Sequence, residues 1–142
     1  MVAVTPGLAG QEQLGELDSR FVTVEDIEWR ETRWAGIKIK VLLEDIERGL
    51  QTVLIDWAPG ATLPLHEHTR IEQTYVLKGS FGDDDGTTTA GNFVWRPAGS
   101  RHSARSEEGA LLLSVFLKPN RFFDQEQPQD GFNQGDQNAN RS

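Results

Sequence analysis

The chain holds three histidines, and two of them stand close together as His66-Glu67-His68. On a β-strand, positions i and i+2 point to the same face, so these two imidazoles project together with nitrogens near enough to share an ion. Glu72 follows, and a bend through Thr69, Arg70 and Ile71 returns its carboxylate to the same interior. His102 lies one hairpin further along, where a neighbouring strand of a closed sheet brings it beside the first pair. A histidine taken singly is more often a surface group or a satisfied core group than a ligand. Taken together, His66, His68, Glu72 and His102 form a candidate site for one divalent metal ion.

Three imidazoles and one carboxylate make a mixed nitrogen and oxygen set. Such a set suits Fe(II), Mn(II), Ni(II), Zn(II) or Cu(II) better than Ca(II) or Mg(II). Four protein ligands leave about two positions open on an octahedral ion, and open positions separate catalytic from purely structural metals. No catalytic residue is assigned beyond the metal site. The absence of cysteine excludes a thiolate nucleophile, a Cys-ligated zinc and a disulfide framework.

The elements that must position these residues read as β. In GIKIKVLL, residues 36–43, Ile37, Ile39 and Val41 share one face and lysines occupy the other, which is period-two alternation. EDIERGL then turns the chain near Gly49. Residues 50–57 place Val53, Ile55 and Trp57 on one face, and Pro59 and Gly60 end that strand. Further strands are expected at 72–81, 92–96 and 102–105, with a DDDG turn at 83–86. The run ALLLSVFL, bounded by Gly109 and Pro119, reads as a strand buried on both faces. Strands recurring at this spacing, with turn residues between, predict an all-β sandwich or barrel.

At 142 residues the chain has the size of one domain. Residues 1–20 read as a polar N-terminal arm and 21–123 as the folded domain. Residues 124–142 are almost without apolar side chains, too few to offset the entropy of ordering, and read as a disordered polar tail. The formal net charge of −8, with no basic stripe, argues against nucleic acid and anionic membranes as partners. The N-terminus lacks the basic and apolar regions of a secretory signal. No apolar run approaches the roughly 18–20 residues of a membrane span. The expectation is a cytoplasmic protein acting on a small-molecule substrate.

Residues 60–79, with Gly60, His66, His68, Glu72 and Gly79, fit G-x5-H-x-H-x3-E-x6-G. Residues 91–106, with Gly91, Pro97, Gly99 and His102, fit G-x5-P-x-G-x2-H-x3-N, except that Ser106 stands where the pattern has Asn. The pair resembles the two motifs of the cupin superfamily. The resemblance implies a single-domain cupin β-barrel, a double-stranded β-helix or jelly roll, with His66, His68, Glu72 and His102 as metal ligands. More narrowly, Glu72–Ser80, Arg96–Ser100 and Gly109–Leu113 are similar to ChrR-like cupins. That group includes the metal-binding domain of an anti-sigma factor and stand-alone proteins described as acetylacetone or 2,4'-dihydroxyacetophenone dioxygenases. No helical sigma-binding segment precedes the barrel, so the stand-alone kind is the expectation.

The resemblance implies a non-haem Fe(II) dioxygenase that cleaves a carbon–carbon bond in a small diketone or hydroxyketone. The alternatives are a non-catalytic zinc-binding sensor and a cupin isomerase or decarboxylase. Pocket residues are sought among Gln73, Tyr75, Trp95, Arg96, Arg101, Ser114 and Phe116. Cupins generally form homodimers by sharing strands, and the first strands here are the expected contact.

Overall fold

The computed structural model describes residues 3–124 and the short strand at 129–130. The strands in chain order are β1 (Ala3–Val4), β2 (Arg30–Glu31), β3 (Ile37–Asp45), β4 (Leu50–Trp57), β5 (Thr62–Glu67) and β6 (Glu72–Gly82). They continue as β7 (Thr87–Thr89), β8 (Phe93–Arg96), β9 (Arg101–Arg105), β10 (Ala110–Phe116), β11 (Arg121–Phe122) and β12 (Gln129–Asp130). Two short 3-10 turns, Gln11–Gln13 and Val24–Asp26, are the helical elements among the described residues. No helix among them is long and apolar enough to cross a membrane.

The main path of neighbours runs β1-β3-β4-β10-β6-β9-β5-β11-β12, with β2 beside β3 and with β7 and β8 beside β6. Every recorded pairing of these strands is antiparallel, which is the pattern of a curled jelly roll. The long strand β6 joins the two halves of the roll. Its first part pairs with β10 and β8, and its last part with β7 and β9. Gly79 makes the close passage possible. Its φ is 71°, and a Cβ there would collide with the Gly109 carbonyl.

The core lies between the inner faces. Ile37, Ile39 and Val41 from β3 meet Val53, Ile55 and Trp57 from β4, Val76 from β6 and Leu112 and Phe116 from β10. The alternation read in β3 and β4 is therefore the inward face of a sheet. Lys40, by contrast, does not reach solvent as the other face of β3 suggests. It is 7% exposed, and its Nζ donates to the Val24 carbonyl at 2.8 Å and sits 5.1 Å above the Trp29 ring. Residues 24–29 fold over the outer face of β3 at Lys40, while Lys38 on the same face stays exposed.

β10 also differs from expectation. Ala110, Leu112, Ser114 and Phe116 are buried, whereas Leu111, Leu113 and Val115 are only half-buried. Its outer face has no covering segment among the described residues.

The arm lies on its own chain. β1 pairs with the end of β3, and the buried Thr5 hydroxyl donates to the Leu42 carbonyl at 2.7 Å. In the tail, the Asp124 carboxylate accepts from Arg33 at 2.9 Å and from Trp34 Nε1 at 3.0 Å. Gln129–Asp130 pairs with β11. The rest of the tail expected to be disordered lies outside the described residues.

Candidate metal centre

Three strands meet at one end of the roll. In β5, His66 stands directly opposite His102 of β9 on one side and Phe122 of β11 on the other. His68 follows just after β5, where its backbone is clamped to the next turn. Its N–H donates to the Ser100 carbonyl at 2.8 Å, and Gly99 N–H donates back to the His68 carbonyl at 2.6 Å. Gly99 holds a φ of 88°, a left-handed turn just before His102. The ring centroids lie 5.0 Å apart for His66 and His68, 4.6 Å for His66 and His102, and 4.8 Å for His68 and His102. One nitrogen from each ring lies within 4.8 Å of the others.

Each ring is held by its Nδ1. His66 Nδ1 lies 2.8 Å from the Pro64 carbonyl. His68 Nδ1 lies 3.1 Å from the Ser100 carbonyl and 2.9 Å from its Oγ. That Ser100 hydroxyl spends its proton on the Pro97 carbonyl at 2.7 Å, so its oxygen accepts. His102 Nδ1 lies 2.6 Å from Asp83 Oδ2. Carbonyls and carboxylates only accept, so the proton sits on Nδ1 and each Nε2 keeps a bare lone pair. His68 Nε2 is buried with no hydrogen-bond partner. A buried lone pair without a donor is costly, and with one nitrogen of each of the other two rings close by it is what a cation would satisfy.

Burial also keeps the rings neutral. It lowers His66 to about 3 and His68 to about 4. His102 is lowered by burial too, against the pull of Asp83. Neutral imidazole is the form that ligates.

Glu72, at the start of β6, stands beside His68, while the cluster of ligand atoms within 4.8 Å of one another is made by the three histidines and does not include it. Its Oε2 is 3.6 Å from His68 Nε2, close to the roughly 3–3.5 Å that separates two ligand atoms each about 2.1 Å from one ion. Its Oε1 accepts from Asn120 Nδ2 at 3.3 Å. Burial pushes its carboxyl up to about 7, with Asn120 and Arg96 opposing.

Asp83 is the residue that the sequence did not single out. It lies in the DDDG turn, just after β6. Its Oδ1 accepts from the N–H groups of Asp85 at 2.8 Å and Gly86 at 3.2 Å. Its Oδ2 accepts from His102 Nδ1 and from Arg96 Nη1 at 2.9 Å. Burial alone would raise its pKa, but these hydrogen bonds and the nearby charge of Arg96 hold it below the usual carboxylate range. Carboxylates in this position orient a ligating histidine and raise its basicity. Three adjacent aspartates offered no sequence signal to tell them apart. The one that directly follows β6 is buried, while Asp84 and Asp85 are exposed.

The other expected pocket residues divide by strand face. Arg96 points to Asp83, and Ser114 is buried with its Oγ 2.7 Å from Thr74 Oγ1. Phe116 is part of the core. Arg101 is exposed, with its Nε donating to Glu67 at 2.9 Å. Gln73, Tyr75 and Trp95 stand on the outer face, away from the histidines. Period two decides this: Glu72 and Thr74 face inward, so Gln73 and Tyr75 face outward, and Trp95 pairs opposite Gln73. Ser106, where the motif has Asn, is buried, and its Oγ donates to the Ser80 carbonyl at 2.6 Å. It ties β9 to β6 and does not approach the ion site.

Behind the histidines lies a cavity of about 20 Å³, lined by His66, Glu72, Thr74, His102 and Ser114 and closed by apolar core residues including Trp57 and Phe81. That is room for a water or two.

A curled antiparallel barrel that gathers a His-x-His strand and a third histidine at one mouth defines the cupin class. The chain belongs to the ChrR Cupin-like domain family, whose model matches residues 18–120. Among solved structures it is similar to a cupin-like protein of unknown function from Ralstonia eutropha, at 28% identity and a TM-score of 0.61. That match covers 67% of this chain and 65% of the other, so this chain spans just under two thirds of that relative. An acetylacetone dioxygenase from Acinetobacter johnsonii shares the fold at 17% identity, with a TM-score of 0.71 over 82% of this chain and 89% of that one. The anti-sigma ChrR of Rhodobacter sphaeroides, in complex with SigE, matches at 25% identity and a TM-score of 0.56, over 66% of this chain and 50% of that one. No curated protein sequence matches the chain.

Proposed function

We propose that this protein is an Fe(II)-dependent cupin dioxygenase that cleaves a carbon–carbon bond in a small diketone or hydroxyketone. The observation that supports this most is the convergence of three neutral imidazoles, each locked at Nδ1 and offering Nε2 to one point. Glu72 is the fourth ligand in this reading. The acetylacetone dioxygenase of the same fold supports the substrate class.

When bound, the metal supplies Lewis acidity toward a chelating enolate and a site for dioxygen. The chain's own residues do the rest. His66, His68 and His102 hold three positions with little reorganisation, because their rings are already fixed. Asp83 draws on the His102 Nδ1 proton and strengthens Nε2 as a donor. Phe122, Phe81 and Trp57 keep bulk water from the interior side. In the overall reaction one C–C bond of the diketone breaks. The two atoms of dioxygen end one in each product, a carboxylic acid and an α-ketoaldehyde.

The decisive assay is an oxygen electrode with Fe(II)-loaded protein and a panel of β-diketones and hydroxyketones. Dioxygen consumption matched by one carboxylic acid per dioxygen for a β-diketone, and by two for an α-hydroxyketone, is the expected result. A second reading is a zinc-binding sensor. The small cavity favours it, since about 20 Å³ admits water but no diketone on the interior side. One equivalent of tightly bound zinc, with no dioxygen uptake by the Fe(II) form on any substrate, would decide for the sensor.

A further inference from the structure

The interior of the roll carries hydrogen-bond donors that its own acceptors do not use. Trp57, the last residue of β4, is 3% exposed, and its Nε1–H is buried without an acceptor among the described residues. The indole packs against Phe81, with ring centroids 5.8 Å apart, and lines the cavity behind the histidines. Thr74 on β6 and Ser114 on β10 stand opposite one another in register and line the same cavity. Both are buried, and their hydroxyls lie 2.7 Å apart. One proton occupies that bond. The proton of the accepting hydroxyl is left over, because neither group makes a further hydrogen bond among the described residues.

A buried N–H or O–H without an acceptor is costly, and native interiors seldom keep one. Here two unspent protons belong to side chains around one small cavity. Its volume is about 20 Å³, above the roughly 10–15 Å³ that a water requires and too little for a ligand of several heavy atoms. A buried water also needs about two to four polar partners. The wall supplies them. The indole and one hydroxyl donate to the water's oxygen, while Glu72 and the hydroxyl oxygens on the same wall accept its protons. A guest with no acceptor would leave both donors stranded, and cavities that stay dry are apolar.

We propose that this cavity is a built site for one ordered water, held by Trp57 Nε1–H and the Thr74–Ser114 hydroxyl pair. His66 and His102 line it too, so the water stands on the inner side of the metal centre. The site is the same whether that centre serves a dioxygenase or a sensor. It also sets what can replace the water. A ligand of the centre that reaches inward must place an acceptor oxygen there, because a methyl group would strand both protons. Trp57, Thr74 and Ser114 are therefore specificity-determining residues for the inner end of any such ligand.

The test is a high-resolution crystal structure of the zinc-loaded full chain, paired with rotating-frame water contacts measured on protein labelled with 15N at tryptophan. The expected result is one water within about 3.2 Å of Trp57 Nε1 and of one of the two hydroxyls. One indole N–H should show a dipolar cross-peak to a long-lived water, assigned to Trp57 by its loss in Trp57→Phe. A dry cavity overturns the proposal, and so does a water out of reach of Trp57 Nε1. The double variant Thr74→Val/Ser114→Ala separates a held water from a merely trapped one. It removes both partners of their bond at once and strands neither. The water and its cross-peak should disappear with metal content unchanged, and a water that stays removes the hydroxyl pair from the site. Should the double variant fail to fold, the two wild-type measurements decide by themselves.

Discussion

The histidines and the glutamate of this centre sit within a few ångströms of each other, yet they are held by opposite means. Each histidine has an acceptor at Nδ1, and burial keeps its ring neutral. These rings form a receptor that is ready without a proton change across ordinary pH. Among the described residues Glu72 has one hydrogen bond, at 3.3 Å from Asn120, and the same burial drives its carboxyl toward the protonated form near pH 7. One environment thus suits a neutral ligand and penalises a charged one. In the proposed four-ligand centre an arriving dication would offset that penalty.

The comparison breaks most sharply at the histidines. His66→Ala removes one of three preset donors from the middle of the triad, between His102 and Phe122. Stoichiometric metal is expected to be lost altogether, a larger effect than the roughly 10–100-fold typical of residues behind the ligands. Elemental analysis of protein purified without chelators checks it. A full equivalent retained in His66→Ala would falsify the site.

The next effect separates the two sides by pH. Between pH 8 and 5 the histidines keep their lone pairs, because His66 titrates at about 3 and His68 at about 4. Glu72, at about 7, takes up a proton as pH falls through that value and must release it to bind the ion. Affinity should therefore fall about tenfold per pH unit below 7, about 100-fold by pH 5. In Glu72→Gln the same titration should be flat. A flat wild-type profile, measured by competition with a chromophoric chelator, means that the carboxylate is not a ligand.

What could be read without coordinates follows the same division. His66 and His68 were legible because a strand's period of two fixes their common direction. The inward faces of β3 and β4 were legible for the same reason. Long-range pairings left no local mark. Asp83 reaches His102 across a turn and a hairpin, and nothing in DDDG tells which aspartate is buried. Tyr75 and Trp95 were sought in the pocket as inward-facing strand positions. Once Glu72 is fixed as inward, however, parity alone places Gln73 and Tyr75 outside. The half-covered outer face of β10 was invisible, since an apolar run does not say whether its second face meets its own chain or another.

Asp83 gives the third effect. Asp83→Asn keeps the size of the side chain and an oxygen able to accept from His102 Nδ1, but removes the charge that Arg96 and His102 share. Metal affinity at pH 8 should drop by roughly 10–100-fold, with the pH slope of Glu72 intact. Titration calorimetry at two pH values reads both. An unchanged affinity would show that the hydrogen bond positions the ring and the charge adds nothing.

The smallest effect falls on the glutamate side. Asn120 donates the hydrogen bond that lowers the Glu72 pKa against its burial. In Asn120→Leu the desolvation is kept and the donor removed, so the carboxyl should titrate still higher. The pH midpoint for metal binding should move up by less than one unit, and affinity at pH 7 should weaken only a few-fold. The 3.3 Å length of the bond sets that limit, since a long hydrogen bond contributes less than the 1.5–3 kcal/mol of a good one to a charged group. The direction of the shift matters more than its size. A midpoint that moves down would mean that Asn120 stabilises the protonated acid through its amide oxygen, and Glu72 would then be held neutral, as a hydrogen-bond donor beside the ion and not as its fourth ligand.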